Sequence, residues 1–152
     1  TTINTPQFSN TFGVDYQDAN LLNSGIRINY NFNQAFSFII AGKYNSWKMP
    51  DTRTAWHMPK YEFDFGTDRK LTKRTTVNLY TYFASGRKAM AIDGSSQSLK
   101  TIADINLGFF YAHSSKVAVF VKLNNLLNSH YQTWNGYEVI GFNGLLGLTF
   151  SF

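Results

Sequence analysis

The chain has 152 residues, no cysteine and a net charge of +5, with 17% aromatic but only 15% charged side chains. One domain is the most this length holds, and disulfide scaffolds, thiolate metal sites and redox motifs are excluded. Soluble domains carry about 25% charged residues, whereas a sheet that crosses a membrane sets an aromatic-rich face against lipid and a polar face behind it. No apolar run approaches the roughly 18 residues of a membrane helix. Thr1 opens no basic-then-apolar signal segment, so a mature form or a fragment is expected. Lys and Arg are scattered without a clustered patch, which argues against nucleic acid as a partner.

Taken in chain order, residues 1–10 read as loop and 10–16 as a first strand. Residues 24–32 alternate, with Ile26, Ile28, Tyr30 and Phe32 on one face and Gly25, Arg27, Asn29 and Asn31 on the other. After a tight turn at 33–35, Phe36, Phe38, Ile40, Gly42 and Tyr44 oppose Ser37, Ile39, Ala41, Lys43 and Asn45. A second hairpin sets Tyr61, Phe63 and Phe65 against Glu62, Asp64 and Gly66, turns at 71–74, and sets Val77, Leu79, Thr81 and Phe83 against Asn78, Tyr80, Tyr82 and Ala84. A third sets Ala103, Ile105, Leu107, Phe109 and Tyr111 against Asp104, Asn106, Gly108, Phe110 and Ala112. It turns at 113–116 and continues with Val117, Val119, Val121 and Leu123 against Ala118, Phe120, Lys122 and Asn124. Residues 137–152 alternate to the last residue and read as one final strand, which makes eight.

Connections alternate in length. They are short at 33–35, 71–74 and 113–116, and long at 18–23, 46–59, 86–98 and 128–136. The spacing predicts an all-β, up-and-down antiparallel transmembrane barrel over residues 1–152, with short turns at one end and long loops at the other. Outer-membrane barrels place termini and short turns in the periplasm and long loops outside the cell. The lumen-facing set is then Arg27, Asn29, Lys43, Glu62, Asp64, Asn78, Tyr80, Asp104, Asn106, Lys122 and Asn124, joined by Gly25, Asn31, Asn45, Tyr82 and Asn143. Aromatics near the long loops, Trp47, Trp56, Tyr131, Trp134 and Tyr137, are expected to form an interfacial girdle. Tyr30, Phe32, Phe36, Phe38, Phe109, Tyr111, Phe150 and Phe152 form a second one beside the short turns.

Catalytic and metal signals are missing. His57, His113 and His130 lack ligand spacing and read as exposed. Glu62 and Asp64 share a strand face, but no nucleophile or pocket accompanies them. Ser46, Ser129, His57 and His130 fall on the long-loop side with Asp51 as the one carboxylate beside them, which does not make a lipid-modifying enzyme. No cofactor fingerprint is present. The loop cations Lys48, Arg53, Lys60, Arg87 and Lys88 read as solvated, or, more sharply, as contacts to anionic lipid headgroups.

Residues 124–152, NNLLNSHYQTWNGYEVIGFNGLLGLTFSF, resemble the end of a TonB-dependent outer-membrane receptor, through Asn124, Asn125, Leu126, Leu127, Asn128, Tyr131, Gly136 and Phe152. AWHMPKYEFDFG at 55–66 and ASGRKAM at 84–90 are similar to the receptor-like barrels of Bacteroidetes. The resemblance implies uptake of a nutrient such as an iron chelate, vitamin or glycan. It also implies an assembly signal in Phe150 and Phe152 read by the barrel-assembly machinery. Implied partners are outer-membrane lipid and lipopolysaccharide, the TonB energy-coupling system and a surface lipoprotein. Full receptors of that family have about twenty-two strands, a plug and a coupling box, so the chain is expected to be the C-terminal part of a larger barrel. Two alternatives are a self-contained eight-stranded outer-membrane protein with a structural or adhesive role, and a soluble lipocalin-like carrier with its apolar face turned inward.

Overall fold

The structure, a computed structural model, describes residues 18–50 and 53–152, and every regular element among them is a strand. The expected first strand at 10–16 and Asp51 lie outside these residues. The strands are β1 (Asn20–Asn33), β2 (Phe36–Lys48), β3 (Tyr61–Lys70), β4 (Thr75–Ser85), β5 (Lys88–Met90), β6 (Ser96–Ser98), β7 (Ile102–Ala112), β8 (Val117–Asn124), β9 (Gln132–Trp134), β10 (Tyr137–Glu138) and β11 (Asn143–Phe150). One antiparallel sheet of seven strands runs β1-β2-β3-β4-β7-β8-β11. The pairs β5-β6 and β9-β10 are small ribbons within the long connections.

The three short turns close by one local device. In each, a side-chain oxygen accepts a backbone N–H two or three residues on, which presets the reversal without tertiary help. Asn33 Oδ1 accepts from the Ala35 amide at 2.7 Å. Thr72 Oγ1 accepts from Arg74 and Thr75 at 3.1 and 3.0 Å, and Ser114 Oγ from Lys116 and Val117 at 3.2 and 3.1 Å.

Register then sorts the faces. Gly25 pairs with Lys43, Lys43 with Glu62 and Glu62 with Ala84. Ala41 pairs with Asp64, Asp64 with Tyr82, and Tyr82 with Asp104. Asn78 pairs with Gly108, Gly108 with Lys122 and Lys122 with Leu145. Strict pairing of this kind carries one residue parity across all seven strands, so the polar residues share one side and the apolar ones the other. Gly147 pairs with Phe120, whose ring tip lies over it, so that an added Cβ would push the ring aside.

The sheet has almost no core. Among the described residues Ala41, Ala84, Ala89, Ile102 and Tyr131 are the buried hydrophobics, while Ile26, Ile28, Phe32, Leu146, Leu148 and Phe150 stand exposed on the apolar face. Contiguous exposed apolar surface on this scale is foreign to a water-solvated domain and expected of one facing lipid. On that face, near the short turns, Phe38 packs against Tyr30 at 5.4 Å and Phe36 at 6.1 Å between ring centroids.

Two expected boundaries differ. Residues 20–23 are not a connection but the first part of β1, because Leu21 and Leu22 continue the ladder to Trp47 and Ser46, and the Asn23 amide donates to Asn45 Oδ1. Nor is the final segment one strand. It breaks between β10 and β11, and β11 closes at Phe150; the Ser151 amide still donates to Lys116 O at 2.9 Å, while Phe152 projects fully exposed.

Candidate functional site

The polar face is concave. One recess of about 490 Å³ is lined from β1, β2, β3, β4, β7 and β8, which is possible only if the sheet curves around it. Its wall is an amide carpet, Asn29, Asn31, Asn78, Asn106 and Asn124, with Asp68, Tyr80 and Lys122 among them. Amides offer donor and acceptor together without net charge.

Toward the long-loop end the same face carries carboxylates held by neutral donors. The Asn45 amide donates to Glu62 Oε1 at 3.0 Å and the Tyr82 hydroxyl to Oε2 at 3.1 Å. Tyr80 donates to Asp64 Oδ1 at 2.8 Å, and Tyr131 to Asp104 Oδ2 at 3.3 Å; Asp104 Oδ1 is buried without a partner. Lys43 lies opposite Glu62 in register, yet the carboxylate is engaged by Asn45 and Tyr82 rather than by the ammonium. By register, Arg27, Asn29, Lys43, Glu62, Asp64, Asn78, Tyr80, Asp104, Asn106, Lys122 and Asn124 share one parity and so one side of the sheet.

The expected aromatic band near the long loops is dispersed. Trp47 follows Lys43 and Asn45 in parity, so it belongs to the polar side. Tyr131 is buried there against Ala84 and Ile102. Burial, then the Asp104 charge, raises its hydroxyl pKa. Trp134 packs on His57 with ring centroids 4.7 Å apart, and Tyr137 pairs with Trp134 across the β9-β10 ribbon. Trp56, half-buried, sits in the connection between β2 and β3.

Four residues, Arg87, Asn125, Asn128 and His57, organise the long-loop end. Arg87 reads from sequence as a solvated loop cation, but only 3% of it is exposed. Its guanidinium donates to Gln132 O at 2.8 Å, Thr133 O at 3.3 Å and Lys100 O at 2.9 Å, so one cation satisfies carbonyls from two separate connections. Asn125 is likewise buried, in the left-handed region at φ 51° that Asn tolerates better than most residues. Its amide donates to Ser129 O and Ile140 O, and its Oδ1 accepts the Ser129 N–H at 2.8 Å. Asn128, at φ 47°, accepts the Phe142 N–H at 2.9 Å. The Asn-Asn-Leu-Leu-Asn run thus works as a clamp that seats the entry to β11, which is the physical reason the final segment is not one continuous strand. His57 is not a free surface group either: Nε2 accepts the Asn135 N–H at 3.2 Å.

Among the described residues no set of three or more His, Cys, Asp or Glu is placed to hold a metal ion. Neither the protein-family models nor the curated proteins give a match to the chain. Among solved structures, the siderophore receptor PiuA from Acinetobacter baumannii is similar, with a TM-score of 0.72 at 14% identity over 87% of this chain. The chain spans 22% of that receptor's length. What the two share is a fold: this antiparallel, two-faced sheet has the architecture of one part of that larger receptor chain.

Proposed function

We propose that the chain is a wall segment of an outer-membrane receptor barrel of the TonB-dependent kind, taking part in the uptake of a small nutrient such as an iron chelate, vitamin or glycan. The observation that carries this reading is the sheet itself, polar and concave on one side and exposed and apolar on the other across seven strands. Likeness in fold to part of a siderophore receptor supports it. In this reading the apolar face meets outer-membrane lipid and lipopolysaccharide, and the amide carpet lines the lumen. The short turns face the periplasm, and the long-loop ribbons face outward and help capture ligand. Phe150 and Phe152 serve the barrel-assembly machinery, and the TonB system and a surface lipoprotein are partners of the whole receptor. The protein moves its ligand without chemical turnover, and the similarity of residues 55–66 and 84–90 to receptor-like barrels of Bacteroidetes is in keeping with this reading.

The charges that line the recess, Asp68 and Lys122, are exposed, which suits a wide, water-filled lumen better than a filled small barrel, where unpaired charges cost several kcal/mol each. The test is the mass and location of the native polypeptide that contains these residues, together with nutrient uptake by cells in which the segment is deleted. A carbonate-resistant outer-membrane protein several-fold heavier than 17.3 kDa, with uptake lost on deletion, is expected. A soluble monomer without detergent would overturn the reading.

A further inference from the structure

His57 is built into a three-way junction. Its backbone sits at φ 63°, in the left-handed region that a bulky residue occupies only when its surroundings hold it there. Its own N–H donates to Lys88 O at 2.7 Å, which ties the β2–β3 connection to β5. Its Nε2 accepts the backbone N–H of Asn135, a bond spanning 78 residues, and its ring packs on Trp134. Asn135 in turn donates its side-chain amide to Met90 O at 3.4 Å, closing the junction on β5. One residue therefore joins the β2–β3 connection to the β5-β6 ribbon through its backbone and to the β9-β10 ribbon through its imidazole.

An imidazole can accept at Nε2 only when it is neutral, with its proton on Nδ1. Protonation turns Nε2 into a donor aimed at another donor. We propose that His57 is an acid-released latch: neutral, it locks the turn of the β9-β10 ribbon at Asn135 onto the β2–β3 connection, and protonated, it lets that turn go while Arg87 keeps its hold on β9.

The surroundings favour the neutral form. Among the described residues the charged groups on its own connection are Arg53 and Lys60, and those on the β5-β6 side are Arg87, Lys88 and Asp93, whose carboxylate is taken up by Ser95 in the turn between the two strands. On the β9-β10 side they are His130 and Glu138, which lie 3.8 Å from each other. Burial first, then the Arg87 charge, lowers the His57 pKa from its usual 6.5. Arg87 cannot swing aside, because three carbonyls hold it. The sign follows: the latch is fully closed above the unfolded value of 6.5 and opens as pH falls from there through the lowered folded value.

The test is amide exchange of the native polypeptide that contains these residues, folded in detergent micelles and followed at the Asn135 and Leu107 amides at about pH 7.5 and about pH 5, with rates corrected for intrinsic exchange. The Leu107 amide, in a strand paired on both sides, reports global folding. Protection of the Asn135 amide relative to Leu107 is expected to fall about tenfold at the lower pH, roughly the worth of one hydrogen bond. His57→Asn, which tolerates the left-handed backbone and offers an acceptor that does not titrate, is expected to abolish that pH dependence. Unchanged Asn135 protection in the wild type, or an equal fall in His57→Asn, would overturn the latch. Should the variant not fold, the His57 ring-proton titration in the wild type decides. Its midpoint must lie below 6.5 and coincide with the loss of Asn135 protection, and a mismatch sinks the proposal.

Discussion

The two ends of the sheet are held by opposite strategies. At the short-turn end each reversal is closed by a single nearby oxygen, from Asn33, Thr72 or Ser114, reaching two or three residues along the chain. At the long-loop end the connections are held by partners far apart in sequence. Arg87 reaches Gln132 across 45 residues, His57 reaches Asn135 across 78, and Asn125 reaches Ile140 across 15. Local closure makes a turn that forms with its own hairpin; distant closure makes loops that order only after the sheet has assembled. The difference separates an end that specifies pairing from an end whose conformation can respond to its surroundings.

Substitutions test that contrast. Arg87→Met should have the largest effect, about 4 kcal/mol, because three charge-assisted bonds to buried carbonyls are lost together. Exchange protection should collapse across 97–100 and 131–138 while β3 and β4 stay protected; uniform loss of protection would mean that the loops and the sheet are one cooperative unit. Ile105→Arg places a charge on the apolar face and should cost about 2–4 kcal/mol in detergent or lipid, against far less for its neighbour Asn106→Arg on the polar face. Equal refolding of the two would mean that the face assignment is wrong. Asn125→Ala removes the clamp before β11 and should cost about 2 kcal/mol by urea titration in detergent, with the β8-β11 pairing the first to exchange. Smallest of all, Thr72→Val at a short turn should cost less than about 1 kcal/mol, visible in the folding rate of the β3-β4 hairpin rather than in the long loops.

The same contrast explains what could be read from the chain. Strands β1–β4, β7 and β8 are legible because alternation has a period of two and register follows from it, so Arg27, Lys43, Glu62, Asp104 and Lys122 fall on one side by counting. Asn33, Thr72 and Ser114 are legible because their partners are neighbours. Arg87 was not: a lone arginine beside Lys88 in a loop looks solvated, and nothing in the linear sequence announces that carbonyls of Lys100, Gln132 and Thr133 converge on it. Tyr131 and Trp134 misled for a related reason. Aromatics near loops suggest an interfacial band, but which way a ring points within a short ribbon depends on tertiary packing against Ala84, Ile102 and His57. The break before β11 had a visible signal in the asparagines at 125 and 128, whose left-handed tolerance marks turns.

The near-absence of buried side chains carries a thermodynamic consequence. Unfolding a water-solvated protein hydrates its interior and raises the heat capacity by about 12–15 cal/mol/K per residue. Among the described residues the buried hydrophobics amount to three alanines, one isoleucine and one tyrosine, so there is little interior left to hydrate. Chains that unfold while their greasy face stays solvated by detergent tails should show a much smaller heat-capacity increment and a flatter stability curve. Their melting point should track the alkyl length of the detergent more closely than any single side chain, which makes the choice of amphiphile part of this protein's energetics.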